Sequence, residues 1–241
     1  MELVLGVLVV FGAYSLKGFS GFGPALIMVP FMTILFSPIT AISVTTLFDL
    51  LADCILIFSV WRSLNWRFVF SVVVALAMGT IVGTLLLGSL PTVWLRRIMG
   101  GAILLSGILI LVMPPQRRGG RDNLTKKLKF PIGFLSGVFG GLLSISGPPL
   151  VVYMKMVYEK SYFRTQLIGI FLFSTGWRYL LYQLNKIPMN LPLSYLAVFF
   201  VVMIIGLWVG THFHLQVNEN IFNKTVACIL FIPSVHLLLS S

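Results

Sequence analysis

Residues 68–90 (FVFSVVVALAMGTIVGTLLLGSL) contain no Asp, Glu, Lys or Arg, and neither do residues 98–113, 191–211 and 225–241. Apolar runs near the ~20 residues that carry a helix across a bilayer leave a chain few choices. Lipid cannot satisfy backbone N–H and C=O groups, so the crossing elements have to be helices that close their hydrogen bonds internally. The chain as a whole agrees: 58% of its 241 residues are hydrophobic and 10% charged, with a mean hydropathy of +1.02, far from the soluble range. The opening MELVLGVLVVFGAY has no basic start and no small-residue cleavage site, and is expected to belong to the mature bundle.

Seventeen Lys and Arg against six acidic residues give a formal net charge of +11. In a membrane protein this excess is expected in short loops on the cytoplasmic side, and nucleic acid is not an expected partner. Cys54 and Cys228 both fall in apolar segments, without metal-ligand spacing, and the HFH of residues 212–214 has no carboxylate or cysteine cluster beside it. Neither a disulfide framework, nor a metal site, nor a cofactor is expected.

The most polar stretch, PPQRRGGRDNLTKKLK (114–129), divides the chain near its centre. It predicts a first transmembrane repeat over 1–113, a basic cytoplasmic linker over 114–130 and a second repeat over 131–241. GPALIMV (23–29) aligns with GPPLVVY (147–153), and at a similar offset GTIVGT (79–84) aligns with GLWVGT (206–211). Each half is expected to open with a Gly/Pro-broken or re-entrant segment. Three ordinary helices follow it: about 38–60, 66–90 and 95–113, then about 162–184, 191–211 and 222–240. The fold class is therefore an all-α membrane protein of two pseudo-symmetric repeats. A re-entrant path for the broken segments gathers more basic residues on the linker side than a fully crossing path does, which favours inverted repeats.

Unbroken, a helix over residues 3–36 would measure roughly 50 Å at ~1.5 Å per residue, longer than a hydrocarbon core of ~30 Å. The glycines of GFSGFGPALIMVP (18–30) mark where it must break, and Pro24 restarts it, because a proline at the first helical position loses no hydrogen bond. The amides of Ala25, Leu26 and Ile27 then lack intrahelical partners. Together with the positive end of the helix dipole they make an anion site. In the second copy, SISGPPL, Pro148 and Pro149 leave Leu150 and Val151 as the amide donors, so Ser144 and Ser146 are expected to contribute hydroxyls there. Two such breaks enclosing one midplane pocket would be lined by Ser20, Gly21, Gly23 and Pro24 on one side and by Gly147 and Pro148 on the other.

Charges inside apolar helices are costly unless paired or hydrated. Asp49 and Asp53 lie four apart on one helix face. Arg178 occupies the matching helix of the second half, and the repeat offset superposes it on Asp53. An Asp53/Arg178 ion pair is expected, with Asp49 sharing the arginine or carrying a coupling proton. Lys17, just before the first break, faces the cavity or snorkels to an interface. Thr45, Thr46, Ser174 and Thr175 sit at similar levels and could bind substrate or back-bond to their own helices. No enzyme is expected: an aspartyl protease would place its acids on separate helices, and no HExxH occurs.

GFSGFGPALIMVP and GGLLSISGPPLVVYMKMVYEKSYFRTQLIG (140–169), each opening a duplicated unit joined by a basic linker, resemble the sulfite exporter TauE/SafE family, also called the toluene sulfonate uptake permease family. The resemblance covers nearly the whole chain. It implies a multi-pass protein of the bacterial inner membrane that transports a small anion such as sulfite or an organosulfonate by alternating access. An anion channel and a non-transporting scaffold are the alternatives. Its partners would be that anion and the lipid bilayer, with homo-oligomerisation left open. One departure is the Gly23-Pro24-Ala25 that stands where the family usually has three glycines.

Overall fold

The computed structural model describes residues 2–112, 123–157, 160–213 and 219–239 of the chain. Regular structure among them is entirely helical: α1 (Glu2–Ser20), α2 (Pro24–Leu35), α3 (Pro38–Val60), α4 (Trp66–Ser89), α5 (Thr92–Val112), α6 (Asn123–Leu143), α7 (Gly147–Val157), α8 (Lys160–Leu184), α9 (Leu193–Phe213) and α10 (Glu219–Leu239). By length and composition α1, α3 with the 3-10 turn that follows it, α4, α5 and α9 are each able to cross a membrane. The helix ends expected from the apolar runs fall within a few residues of these bounds. The tail of the stretch read as linker is helical, since α6 begins at Asn123; residues 113–122, and His214 of the HFH stretch, lie outside the described residues.

Local chemistry sets the starts. Ser37 caps α3 by accepting from the Thr40 amide at 3.2 Å with Pro38 at the first helical position, and Asn65 caps α4 by accepting from the Phe68 amide at 3.2 Å. Asn65 is itself held by fully buried Gln166 of α8, whose Oε1 accepts from the Asn65 amide at 3.0 Å.

Glycine faces bring the main helix pairs together. Gly79 and Gly83 on α4 face Phe134, Val138 and Leu142 on α6, while Gly133, Gly137 and Gly141 face back toward α4. Gly206 and Gly210 on α9 lie against Phe11, Ser15 and Phe19 of α1. In both pairs residue numbers rise together, so α4 runs parallel to α6 and α9 to α1. Without side chains in the way, the backbones approach closely, which is how helices associate when lipid offers no hydrophobic drive. Further packing joins α5 to α10, α3 to α8, α2 to α3 and α4 to α8.

The first broken segment doubles back. Leu16 lies against Gly23 at the start of α2, and Gly6 lies against Met32 near its end, so α2 returns alongside α1. Outward faces carry Leu8, Phe58, Leu85 and Trp208, while Lys17, Asp49, Asp53 and Arg178 are buried inside. Apolar outside and charged within is the arrangement a lipid solvent selects.

Candidate functional site

Between α1 and α2 the chain turns at Gly21 (φ 80°) and Gly23 (φ 88°), left-handed conformations that cost glycine little. Ser20 stitches this turn: its Oγ lies 2.8 Å from the carbonyls of Leu16 and Phe22 and accepts from the Phe22 amide at 3.3 Å. The Gly21 amide donates to the Lys17 carbonyl at 2.7 Å. Arg164 of α8 donates to the Gly18 carbonyl at 2.8 Å, placing a cation on the negative end of α1. Basic residues are not confined to loops: Arg164 is part-buried against the turn and Lys155 is buried in α7.

The second turn, between α6 and α7, contains Ser144 at φ 63°, a conformation that costs a non-glycine residue about 1–2 kcal/mol. Its Oγ shares a 2.9 Å hydrogen bond with Thr46 Oγ1 of α3, and Thr46 also donates to the Ile42 carbonyl at 2.9 Å. The two turns meet: a Cβ on Gly147 would lie 3.3 Å from the Phe22 ring.

They close over a small cavity. From the first turn Gly23, Pro24 and Ala25 line it; from the second, Ser144, Ser146 and Gly147; beside them stand Lys17, Asp49, Asp53 and Arg178. Its volume is about 20 Å³. That suffices for roughly one water molecule and not for an oxyanion.

The charged groups pair differently from expectation. Lys17, 2% exposed, donates to the Asp49 carbonyl at 3.1 Å and to Asp49 Oδ1 at 3.2 Å, and its Nζ lies 2.9 Å from Asp53 Oδ1. The approach to Asp53 is an ion pair only, since neither Asp53 oxygen makes a hydrogen bond with a described residue. Arg178 Nη2 is 3.7 Å from Asp49 Oδ2, so the expected Asp53/Arg178 pair is corrected to Lys17/Asp53 and Arg178/Asp49. The doubling back of α1 causes this: it brings Lys17 beside the face of α3 that carries both acids, and a primary ammonium reaches two carboxylates one turn apart. Two cations and two carboxylates then cancel in a buried group, where an unpaired charge would cost several kcal/mol.

Arg178 is under-bonded as well. It is 2% exposed, yet among the described residues its hydrogen bond is a long one to Thr175 Oγ1 at 3.5 Å, and its Nε has no partner there. A guanidinium carries five donors.

Of the residues expected to bind substrate, Ser20, Gly21, Thr45, Thr46, Pro148, Leu150 and Ser174 stand off the cavity wall. Ser20 serves its own turn, and Thr46 supports Ser144 from behind. Thr45 Oγ1 is buried without a partner among the described residues, and Ser174 lies 3.4 Å from the Phe171 carbonyl. The Leu26 amide is not an open donor as expected, because it bonds back to the Gly23 carbonyl at 3.1 Å. The Ala25 amide, on the cavity wall, meets no acceptor among the described residues. Leu26 and Thr175 line the wall too, and Phe22, Ile145 and Phe171 complete it; nothing in an apolar sequence singles out the last three before the turns are placed.

Compared with known proteins, residues 6–237 match the family model described as Sulfite exporter TauE/SafE. No curated protein and no solved structure matches the chain.

Proposed function

The chain belongs to the sulfite exporter TauE/SafE family, a family of multi-pass membrane transporters and not of enzymes, and from that premise we propose that it exports a small sulfur oxyanion, sulfite or an organosulfonate, across a bacterial inner membrane. One observation carries the assignment of the site: two Gly/Pro turns, distant in sequence, meet over a buried cavity whose wall holds an under-bonded arginine. In this reading the anion sits near the midplane between the turns. It takes hydrogen bonds from Arg178, the Ala25 amide and the Ser146 hydroxyl, and the positive end of α2 faces it.

The halves act as inverted repeats that rock against one another. Supporting this, exchanging α1–α5 for α6–α10 maps the α4/α6 pair onto α9/α1 and returns α3/α8 and α5/α10 to themselves. The aligned segments GTIVGT and GLWVGT supply the glycines on which α4 and α9 pack, so matching sequence does matching work. A cavity with room for about one water requires the halves to move before an oxyanion can enter, which suits alternating access better than a standing pore.

Counterflow of radiolabelled sulfite in proteoliposomes tests the proposal. A carrier gives saturable uptake accelerated by unlabelled sulfite on the far side. Linear flux without trans-acceleration would indicate a channel, and no flux for sulfite or sulfonates would contradict the assignment.

A further inference from the structure

Among the four charges of the cluster, Asp49 alone touches both cations. Its carboxylate gives Oδ1 to Lys17 at 3.2 Å and turns Oδ2 toward Arg178, stopping at 3.7 Å, beyond hydrogen-bond reach. Asp53 differs: it lies against Lys17, and no ion pair joins it to Arg178 among the described residues. Arg178 therefore faces the cavity with a carboxylate close enough to neutralise it but too far to use its donors.

We propose that Asp49 is a tethered competitor for the substrate: its carboxylate occupies the anion position of Arg178 when the site is empty and is displaced onto Lys17 when an oxyanion binds. The proposal rests on the transporter reading above and specifies how its site is regulated. A planar guanidinium attracts oxyanions and carboxylates to the same edge, so a carboxylate standing 3.7 Å from it opposes the approach of a second anion until it moves aside. Lys17 already holds Asp49 by side chain and by backbone carbonyl, so it can retain the acid as it leaves Arg178. An arginine held loosely by its own chain releases that partner at little cost. A strong internal bond would have to be broken first. The empty site thus stays neutral without becoming a trap, and a bound anion is exchanged against an internal one of the same charge type.

The test is sulfite binding to the detergent-solubilised full chain by isothermal titration, for the wild type, Asp49→Asn, Asp49→Glu and Asp53→Asn. Removing the competing charge in Asp49→Asn is expected to tighten binding about tenfold, through the loss of one close ion pair with Arg178. Lengthening it in Asp49→Glu, which brings the acid within reach of Arg178, is expected to weaken binding severalfold. Asp53→Asn removes the same charge without freeing Arg178 and is expected to gain less than Asp49→Asn. Equal gains in the two asparagine variants would reduce the effect to general electrostatics and overturn the proposal, as would unchanged or weaker binding in Asp49→Asn. Should Asp49→Asn not fold, Asp49→Glu binding as tightly as the wild type overturns it alone. In each of these cases the wild type still binds sulfite and the transporter reading stands; absence of sulfite binding by the wild type removes both.

Discussion

Thr46 and Ser144, one in the middle of α3 and the other at the tip of the second turn, share a 2.9 Å hydrogen bond between their hydroxyls. The contact fixes a left-handed serine against the helix that carries both buried aspartates. Strain at Ser144 is thus tied to the charged cluster through a single neighbouring residue.

Thr46→Val is expected to cost about 1 kcal/mol in the wild type and almost nothing in a Ser144→Gly background, where no hydroxyl remains to be stranded. Ser144→Gly itself should be close to neutral, because relief of the left-handed strain offsets the lost bond. Unfolding measurements across this double-mutant cycle check both; a full 1 kcal/mol loss in each background would show that the pair does not interact.

Lys17→Met leaves Asp53 without its cation in the interior and is expected to destabilise by about 3–5 kcal/mol. Lys17→Met/Asp53→Leu should recover a large part of that loss, since Arg178 remains to balance Asp49. A double variant no more stable than the single would show that Asp53 is not a principal partner of Lys17.

Gly137→Ala drives a methyl into the backbone of Leu76 and is expected to cost about 1–3 kcal/mol by forcing α4 and α6 apart. Gly101, around which an added Cβ meets nothing within 4 Å, should accept alanine without loss. Thermal unfolding of the two variants in one detergent makes the comparison, and equal tolerance would contradict the packing described for α4 and α6.

Arg164→Ala removes the cation at the end of α1 and the bond to the Gly18 carbonyl, at an expected cost of about 1 kcal/mol for a part-buried partner. Hydrogen exchange over residues 18–23 should rise in this variant more than elsewhere. Uniform exchange along α1 would show that Arg164 does not hold the turn.

Much of the fold was legible because bilayer thickness fixes helix length, so uncharged runs announce α4 and α9 nearly to their ends and the later parts of α5 and α10. Gly21, Gly23 and Pro24 marked the first break for an equally local reason: backbone geometry there admits few residue types. Charge pairing was not legible. Aligning the halves superposes Asp53 on Arg178, but Lys17 has no basic counterpart in the second copy, where the same offset falls on Leu142, so alignment could not show it taking Asp53. Arg164 shows the same limit: a basic residue beside a loop is ordinarily a solvated loop charge, and only the position of the α1 end reveals a carbonyl waiting for it. The Leu26 amide was misjudged because a bond back to Gly23 depends on turn dihedrals that composition does not set.

The central claim, that both turns together hold one anion, is tested most directly by the stabilisation that sulfite confers on the wild type, Ala25→Pro and Ser146→Ala. Ala25→Pro deletes a single amide proton within a first helical turn and copies the Pro148-Pro149 of the second turn, so the fold should tolerate it. Sulfite at ~100 times its Kd should add ~2.7 kcal/mol to the wild type. At that same concentration the account predicts a clearly smaller gain in each variant, one for each turn. Undiminished stabilisation in both would contradict it.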